Sequence, residues 1–484
     1  MPMVSSVSFG AVVEADISFD CKQTLRQLPS SGPGVNLNYW ADNLNNVPTL
    51  QTNIGAWQLG SYRYPGGEKS DGYMWNSPNF TAVPPKPVLL SQPYEWPAND
   101  PVIYNATADD YANPPMDFDT FMSIANANGV TPYLVLAYKN CNKWNGRSYQ
   151  ELKEAALAWM RHIVQKGYKV RNFEFSNEAY NGAGWAGGAT AQQYASALND
   201  WIPALRQIKP DILISMDGVK DHGTVGDFEP WYISPQPLWY QTILQQAGSQ
   251  IDYIALHIYP FYNVTYEEYA NAQEATSGYS DGWNFQFQVQ EAELALQLYA
   301  SDADRARIRF AVSETATLDY AYTWSNRHAD LGHAVALFDL MATLLSHPKV
   351  DFVHHWTTRW IASSTDDVAQ EGSIVDSFYS NYSPTPVGQA LALLGRYLRE
   401  GTLLQTPSTQ FAPPTTTVSC DDVAPYHDPQ YTCQQQAGWG KCSESYMQGY
   451  CNRSCGRCTA SSVPAPANVA STVQPAPTVP PAVR

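Results

Sequence analysis

The segment NFEFSNEAY, residues 172–180, is the stretch that decides the fold. It opens with a short run that carries two phenylalanines, Asn172–Ser176, and passes into Asn177 and Glu178, which are polar. Parallel strands that are buried on both faces have this character, and a polar loop follows their carboxyl ends. We therefore predict a buried parallel strand here, with Glu178 at its carboxyl end.

The same pattern recurs between Val35 and Glu400. Seven further candidate strands are short and mostly apolar: Val35–Tyr39, Ser61–Tyr64, Pro132–Ala137, Ile212–Met216, Ile254–Ile258, Ile308–Ser313 and Phe352–Trp356. Apolar residues spaced three and four apart predict helices between most of them, including one after a Ser148/Glu151 capping box and the segments Ala191–Ile208, Phe287–Tyr299, Ala329–Leu345 and Pro386–Leu398.

Eight strands that alternate with helices predict an α/β fold, a (β/α)8 TIM barrel. The alternative is an open, doubly wound sheet. Nothing near the first strand resembles a glycine-rich dinucleotide loop, and eight units favour closure. The long segment from Pro65 to Asp117 follows the second strand, so we expect it on the carboxyl-terminal face of the barrel, where active sites lie.

Composition excludes several classes of protein. The 484 residues carry a net charge of −17, which disfavours binding to nucleic acid or to acidic membrane surfaces. No apolar run approaches the ~20 residues of a membrane-spanning helix. Met1 to Ser8 show no signal peptide. Aromatic residues make up 13% of the chain, which suits surfaces that stack on sugar rings as well as large cores.

Six of the eight cysteines lie between residues 420 and 458. An even, dense set predicts disulfides formed in an oxidising compartment, whereas the spacing does not suit a zinc site. Five glycosylation triplets, at Asn79, Asn105, Asn263, Asn381 and Asn452, agree with a secreted, extracellular protein. Cys21 and Cys141 stand apart from the cluster, and whether they pair is left open.

These features divide the chain into four parts. Residues 1–405 form the catalytic barrel domain, and residues 406–419 are a linker rich in proline and threonine. Residues 420–459 are a small cysteine-rich module, and residues 460–484 are an Ala/Pro-rich tail that we expect to be disordered.

Polar residues at four strand ends predict the chemistry. Glu178 and Glu314 follow the fourth and seventh strands, so they face each other across the barrel mouth. Two carboxyl groups that flank a glycosidic bond can protonate the leaving oxygen and stabilise an oxocarbenium-like centre; in retaining enzymes they lie ~5–5.5 Å apart. Arg63 and Tyr259 are expected to donate hydrogen bonds that keep Glu314 ionised. No metal or other cofactor is required.

The ordered set R-x-P-G-G (63–67), Asn177-Glu178, H-x-Y (257–259), Ser313-Glu314 and a late tryptophan resembles the clan A, or 4/7, glycoside hydrolases, near the α-L-arabinofuranosidase, β-agarase and β-glucuronidase branches. The resemblance implies that Glu178 is the acid/base and Glu314 the nucleophile. It also implies six other substrate contacts and supporting residues beside Arg63: Asn177, Glu68, Asp71, His257, Tyr259 and Trp356. Those branches usually carry a β-sandwich after the barrel, whereas a short linker follows it here, so the resemblance does not fix the substrate.

Several of these residues have simpler interpretations. Glu174 lies four residues before Glu178 and is interpreted as structural support or a buried ion-pair partner. A role as a core histidine suits His257 as well as a role as a substrate contact. Trp356 could be plain barrel packing. His354 and His355 would point to opposite faces of a strand and cannot both line the site.

Trp439, Cys442, Cys451 and the Ser454–Cys458 segment resemble an ShKT-like domain. Residues alone allow fifteen pairings of six cysteines. The resemblance implies the three pairs Cys420–Cys458, Cys433–Cys451 and Cys442–Cys455. Tethering to carbohydrate or matrix through Trp439 and Tyr450 is one hypothesis for the module, and a stabilising appendage is the other.

The sequence therefore predicts a retaining glycoside hydrolase that acts on a cell-wall or matrix polysaccharide, most simply a β-linked one. The alternative is an inactive barrel that binds glycans as a lectin does. A long loop favours an extended cleft over a pocket, and Arg63, Lys69 and Lys139 leave uronic acid substrates open.

Overall fold

The computed structural model describes residues 24–89, 104–105, 107–108, 110–138, 147–180, 188–219, 238–259, 285–317, 331–359, 376–379, 381–404, 432–443, 451 and 453–455. The chain divides into two compact units, one of which spans residues 21–405. Cys21, Cys141, Cys420, Cys458, Tyr450, the linker and the tail lie outside the described residues.

Eight parallel strands close into a barrel in sequence order, with the last strand paired to the first and the fourth to the fifth. They are β1 Pro33–Asn36, β2 Ser61–Tyr64, β3 Thr131–Leu136, β4 Asn172–Phe175, β5 Leu213–Asp217, β6 Tyr253–Ile258, β7 Arg309–Thr315 and β8 Val350–His355. The predicted fold class is confirmed. Each predicted strand is present, and its bounds differ from the prediction by about two residues or fewer, except that β1 ends at Asn36 rather than at Tyr39.

Helices surround the barrel. Within the described residues they are α1 Val47–Gly55, α2 Phe118–Asn128, α3 Tyr149–Lys166, α4 Ala191–Ile208, α5 Trp239–Ala247, α6 Phe285–Tyr299, α7 Asp302–Arg307, α8 Leu331–Ser346 and α9 Pro386–Leu398. The predicted capping box opens α3: the Ser148 hydroxyl accepts from the backbone N–H of Glu151, and the Glu151 side chain accepts from Ser148 N–H. No described helix is long and apolar enough to cross a membrane.

The segment after β2 is held against the barrel by aromatic residues. It contains a 3-10 turn, Glu68–Gly72, and a short strand, Tyr73–Met74, that pairs with Val88–Leu89. The hydroxyls of Tyr64 and Tyr73 lie 2.6 Å apart, and Tyr64 also donates to the carbonyl of Met116. Because these rings are buried and their hydroxyls are paired, the start of the segment has a fixed position over the barrel mouth.

At the amino-terminal end of the barrel, the two ends of the domain pair with each other. The strand Thr24–Gln27 runs antiparallel to Thr402–Leu404. In the second unit, Cys433–Gly438 form a short helix, and disulfides join Cys433 to Cys451 and Cys442 to Cys455. These are two of the three pairs that the ShKT-like resemblance implies.

Candidate active site

The turn after β4 presents Glu178. Ser176 and Glu178 both have positive φ angles, 84° and 47°, which are uncommon for residues other than glycine. This backbone buries Asn177 and leaves the Glu178 side chain 24% exposed, so that its carboxylate is open to the barrel mouth.

A bulge in β7 presents Glu314. Leu256 pairs with Val312, but the next residue of β6, His257, pairs with Glu314, so Ser313 is the additional residue on β7. The side-chain amide of Asn36 donates to the carbonyl of Ser313 at 3.0 Å and holds the bulge from β1. A bulge re-aims the side chains next to it, and here it places Glu314 beside His257.

The two predicted catalytic carboxylates converge. One carboxylate oxygen of Glu178, one of Glu314 and a ring nitrogen of His257 all lie within 4.8 Å of one another. Retaining glycosidases separate their carboxyl groups by ~5–5.5 Å, whereas inverting enzymes need ~6.5–9.5 Å to admit a water molecule. The approach of the two carboxylates is nearer to the retaining separation than to the inverting one.

Arg63 organises the floor of the site from β2. Its guanidinium binds both oxygens of Glu174, at 3.0 and 2.6 Å, and donates to Glu314 Oε1 at 2.7 Å. It also donates to the side-chain oxygens of Asn36 and Asn177, at 2.8 and 2.9 Å. All five donors of the guanidinium are therefore used, and Arg63 is fully buried.

The electrostatics follow from burial and neighbouring charge. Burial favours the neutral form of Glu174, but the positive charges of Arg63 and His257 outweigh it and lower the pKa of Glu174 to about 2. Burial would lower the pKa of His257, whereas the carboxylates of Glu314, Glu174 and Glu178 raise it to about 10. The raised pKa favours the protonated imidazole of His257 among the three carboxyl groups.

His257 and Tyr259, on and just after β6, contact both candidate catalytic groups. His257 Nδ1 lies 2.8 Å from Glu178 Oε1 and 3.5 Å from Glu314 Oε2. The Tyr259 hydroxyl donates to Glu314 Oε2 at 2.7 Å. A metal ion at this cluster would have to displace the proton of His257, whose pKa is raised, because a metal ligand must be a neutral imidazole.

The remaining predicted contacts have different positions. Trp356 directly follows β8 and is buried, and its ring lies so close to Gly67 that an added Cβ there would be 1.9 Å from it. Only glycine fits under this ring. Asp71 is fully buried, and Glu68 opens the 3-10 turn that contains it. His354 lies in the barrel interior, with Nε2 2.9 Å from the Ser61 hydroxyl.

Three residues of the site were not predicted. Asn36 binds Arg63, and Tyr194 and Asp217 hydrogen-bond to the backbone of the turn that carries Glu178. Asn36 and Asp217 end β1 and β5, so a search for polar residues at the ends of apolar strands could have found both. Tyr194 lies on α4 among apolar residues, and no signal in the sequence separates it from the core.

No family model and no curated protein matches this chain, but solved structures do. The GH51 α-L-arabinofuranosidase of Thermotoga petrophila RKU-1 is 14% identical, with a TM-score of 0.54 over 81% of this chain and 76% of that chain. The chain has the barrel fold of these glycoside hydrolases. A GH51 arabinofuranosidase from Xanthomonas axonopodis pv. citri (14% identity, TM-score 0.54, 81% and 79% coverage) is similar to the same extent. A monomeric β-xylosidase from Caulobacter crescentus CB15 also matches (12% identity, TM-score 0.50, 81% and 73% coverage).

Proposed function

We propose that this chain is a retaining glycoside hydrolase with Glu178 as acid/base and Glu314 as nucleophile. The observation that carries the proposal is the approach of their carboxylate oxygens to within 4.8 Å at the barrel mouth. The contacts of Glu314 support its role, because a nucleophile must be ionised and two donors, Arg63 and Tyr259, bind its two oxygens.

The reaction has two displacement steps. In the first, Glu314 attacks the anomeric carbon, and Glu178 gives its proton to the glycosidic oxygen as that bond breaks. In the second, Glu178 takes a proton from water, whose oxygen displaces Glu314 from the glycosyl-enzyme. We propose that Asn177 donates to the sugar hydroxyl next to the reacting carbon, since its side-chain oxygen already accepts from Arg63. Trp356 is the proposed platform under the ring, and Asp71 and Glu68 are proposed contacts from the loop.

The proposed substrate is a neutral, β-linked polysaccharide of a cell wall or extracellular matrix. Of the three cations that could bind a uronic acid carboxylate, Arg63 is fully buried and all its donors are used. The side chains of Lys69 and Lys139 lie outside the described part of the structure. The net charge of −17 also disfavours polyanions. The solved neighbours named as arabinofuranosidases and a xylosidase make pentose-containing polymers the first substrates to test.

The test compares wild type with Glu178→Ala and Glu314→Ala on cell-wall polysaccharides and aryl glycosides. We expect sugar release by wild type and near-background rates for both variants, with Glu154→Ala, an exposed residue of α3, as the matched control. Proton NMR of the first product should show the anomeric configuration of the substrate.

Inversion of configuration, or two fully active variants, would overturn the assignment. Glycan binding without sugar release, equal in wild type and both variants, would instead support the lectin-like alternative.

We propose an extracellular location and a tethering role for the C-terminal module. Two disulfides support the location. Trp439 is 54% exposed, with the Lys441 ammonium 5.4 Å from its ring centre, and an exposed indole is a suitable surface for a sugar ring. Trp439→Ala should weaken pull-down on insoluble polysaccharide and leave hydrolysis of a soluble aryl glycoside unchanged. Equal pull-down would contradict the tethering role.

A further inference from the structure

The turn that carries Glu178 is held at both ends by residues from outside β4. On its exit side, Asp217 Oδ2 accepts the backbone N–H of Ala179 at 2.7 Å. On its entry side, the hydroxyl of Tyr194 donates to the carbonyl of Phe175 at 2.6 Å. The segment between these two hydrogen bonds contains Ser176, Asn177 and Glu178.

Asp217 is itself rigidly held. Its backbone N–H donates to the same Tyr194 hydroxyl at 3.0 Å, and its carbonyl accepts the indole N–H of Trp239 at 2.8 Å. The rings of Tyr194 and Trp239 are 5.0 Å apart, and Asp217 is only 3% exposed. Buried residues with fully paired backbone groups have few alternative positions, so Asp217 presents a fixed oxygen to Ala179.

These hydrogen bonds hold the turn in a backbone conformation that is otherwise disfavoured. The positive φ angles of Ser176 and Glu178 are disfavoured for residues with side chains and persist only where the surroundings impose them. Without a fixed acceptor for Ala179 N–H, the turn could relax and move the Glu178 carboxylate away from Glu314. A displacement of about 1 Å can cost a catalytic group on the order of 10²-fold in rate.

We infer that Asp217 is a positioning residue for the acid/base, acting through its hydrogen bond to the backbone of Ala179. Tyr194 supports the entry side of the same turn. The inference rests on the proposed function for its kinetic consequence, while the hydrogen bond itself can be tested without any activity.

Asp217 acts here as a hydrogen-bond acceptor rather than as a charge. Burial and the nearby negative charge of Glu174 raise the pKa of Asp217 well above its ordinary value, which favours the neutral carboxyl. A neutral carboxyl and a carboxamide have nearly the same shape, and both offer one acceptor oxygen. Asn should therefore replace Asp at this position, and Ala should not.

The kinetic experiment uses the full chain with Asp217→Ala, Asp217→Asn and the control Asp200→Ala on the exposed side of α4. Two aryl glycosides of the active sugar are compared, one with a poor leaving group and one with a dinitrophenolate, which leaves without protonation. For Asp217→Ala we expect kcat/KM to fall about 10–100-fold on the first and less than about threefold on the second. Asp217→Asn and Asp200→Ala should match wild type.

Hydrogen exchange measured by mass spectrometry gives the second readout. Peptides that cover residues 175–180 should exchange faster in Asp217→Ala than in wild type or Asp217→Asn, with no change in peptides from β7. Equal losses on both leaving groups, failure of Asn to restore activity, or unchanged exchange at 175–180 would each overturn the positioning role. If wild type proves inactive, the proposed function fails, and the exchange result alone decides whether Asp217 holds the turn.

Discussion

The two ends of the barrel each carry a cluster of arginine and carboxylate, and they differ in what those charges do. At the mouth, Arg63 and Glu174 are fully buried, and the cluster includes the two candidate catalytic glutamates. At the amino-terminal end, Asp351 binds Arg26 and Arg309 and accepts from the Tyr253 hydroxyl, with Arg309 38% exposed.

The partners of these clusters explain the difference. Arg26 donates to the carbonyls of Leu345, His347 and Val350, so it fastens the first strand of the domain to the segment before β8. These hydrogen bonds satisfy backbone carbonyls and hold the first strand of the domain in place. Arg63, in contrast, binds only side chains, and one of them is Glu314. We therefore expect the cluster at the amino-terminal end to serve stability, and the cluster at the mouth to hold the candidate nucleophile Glu314 in place.

Removing the centre of the mouth cluster should have the largest effect. Arg63→Met leaves Glu174 buried without its bidentate partner and Glu314 without a donor, so we expect a loss of about 3–5 kcal/mol in the free energy of unfolding and loss of hydrolysis. Urea titration and glycoside assays check both. Unchanged stability would show that the pair is not a buried ion pair in solution.

The pH dependence of stability should follow His257. Its pKa in the folded protein is about 10, above the ordinary value of 6.5. The stabilisation it gives is therefore fully present below about pH 6.5 and is lost as the pH rises toward 10. Urea titrations across this window should show a decline in wild type that is reduced in His257→Gln. His347→Gln, a partly exposed histidine near the other end, should keep the decline.

Breaking the Asp351 cluster at the amino-terminal end of the barrel should lower the free energy of unfolding without lowering the rate of hydrolysis. Asp351→Asn leaves Arg26 and Arg309 close together without their carboxylate, and we expect a loss of about 1.5–3 kcal/mol. The value of kcat/KM at 25 °C should stay within about twofold, since the side-chain partners of Asp351 among the described residues, Arg26, Arg309 and Tyr253, lie away from the mouth. A large fall in activity in the folded variant would contradict the division of roles.

The smallest effect is expected for a surface pair. Lys153 and Asp200 join α3 to α4 at 2.7 Å, but Asp200 is 49% exposed. Lys153→Ala should change the free energy of unfolding by about 0.2–1 kcal/mol and leave activity unaltered. Thermal denaturation of Lys153→Ala and Asp351→Asn side by side compares the stability that each variant loses. An equal loss would show that the exposed ion pair stabilises the fold as much as the buried one.

Much of the fold was predictable because it depends on local patterns. All eight strands and the bounds of α4 and α9 agree with the apolar periodicity, and the start of α3 agrees with its capping box. Glu174 was interpreted as a structural acid, and it is the partner of Arg63. His257, for which a core role and a contact role were equally suitable, is a partly buried imidazole that contacts Glu178. No periodicity could have distinguished those roles.

The sequence by itself determined the barrel, the strands that end in Glu178 and Glu314, and the presence of a cysteine-rich segment. These follow from the order of apolar runs, polar strand ends and cysteines. The tertiary structure alone decided the approach of the carboxylate oxygens to within 4.8 Å, the bulge at Ser313 and the support of the turn by Asp217. The physical reason is that strand register and backbone angles of single residues arise from packing between distant segments, which no local pattern encodes.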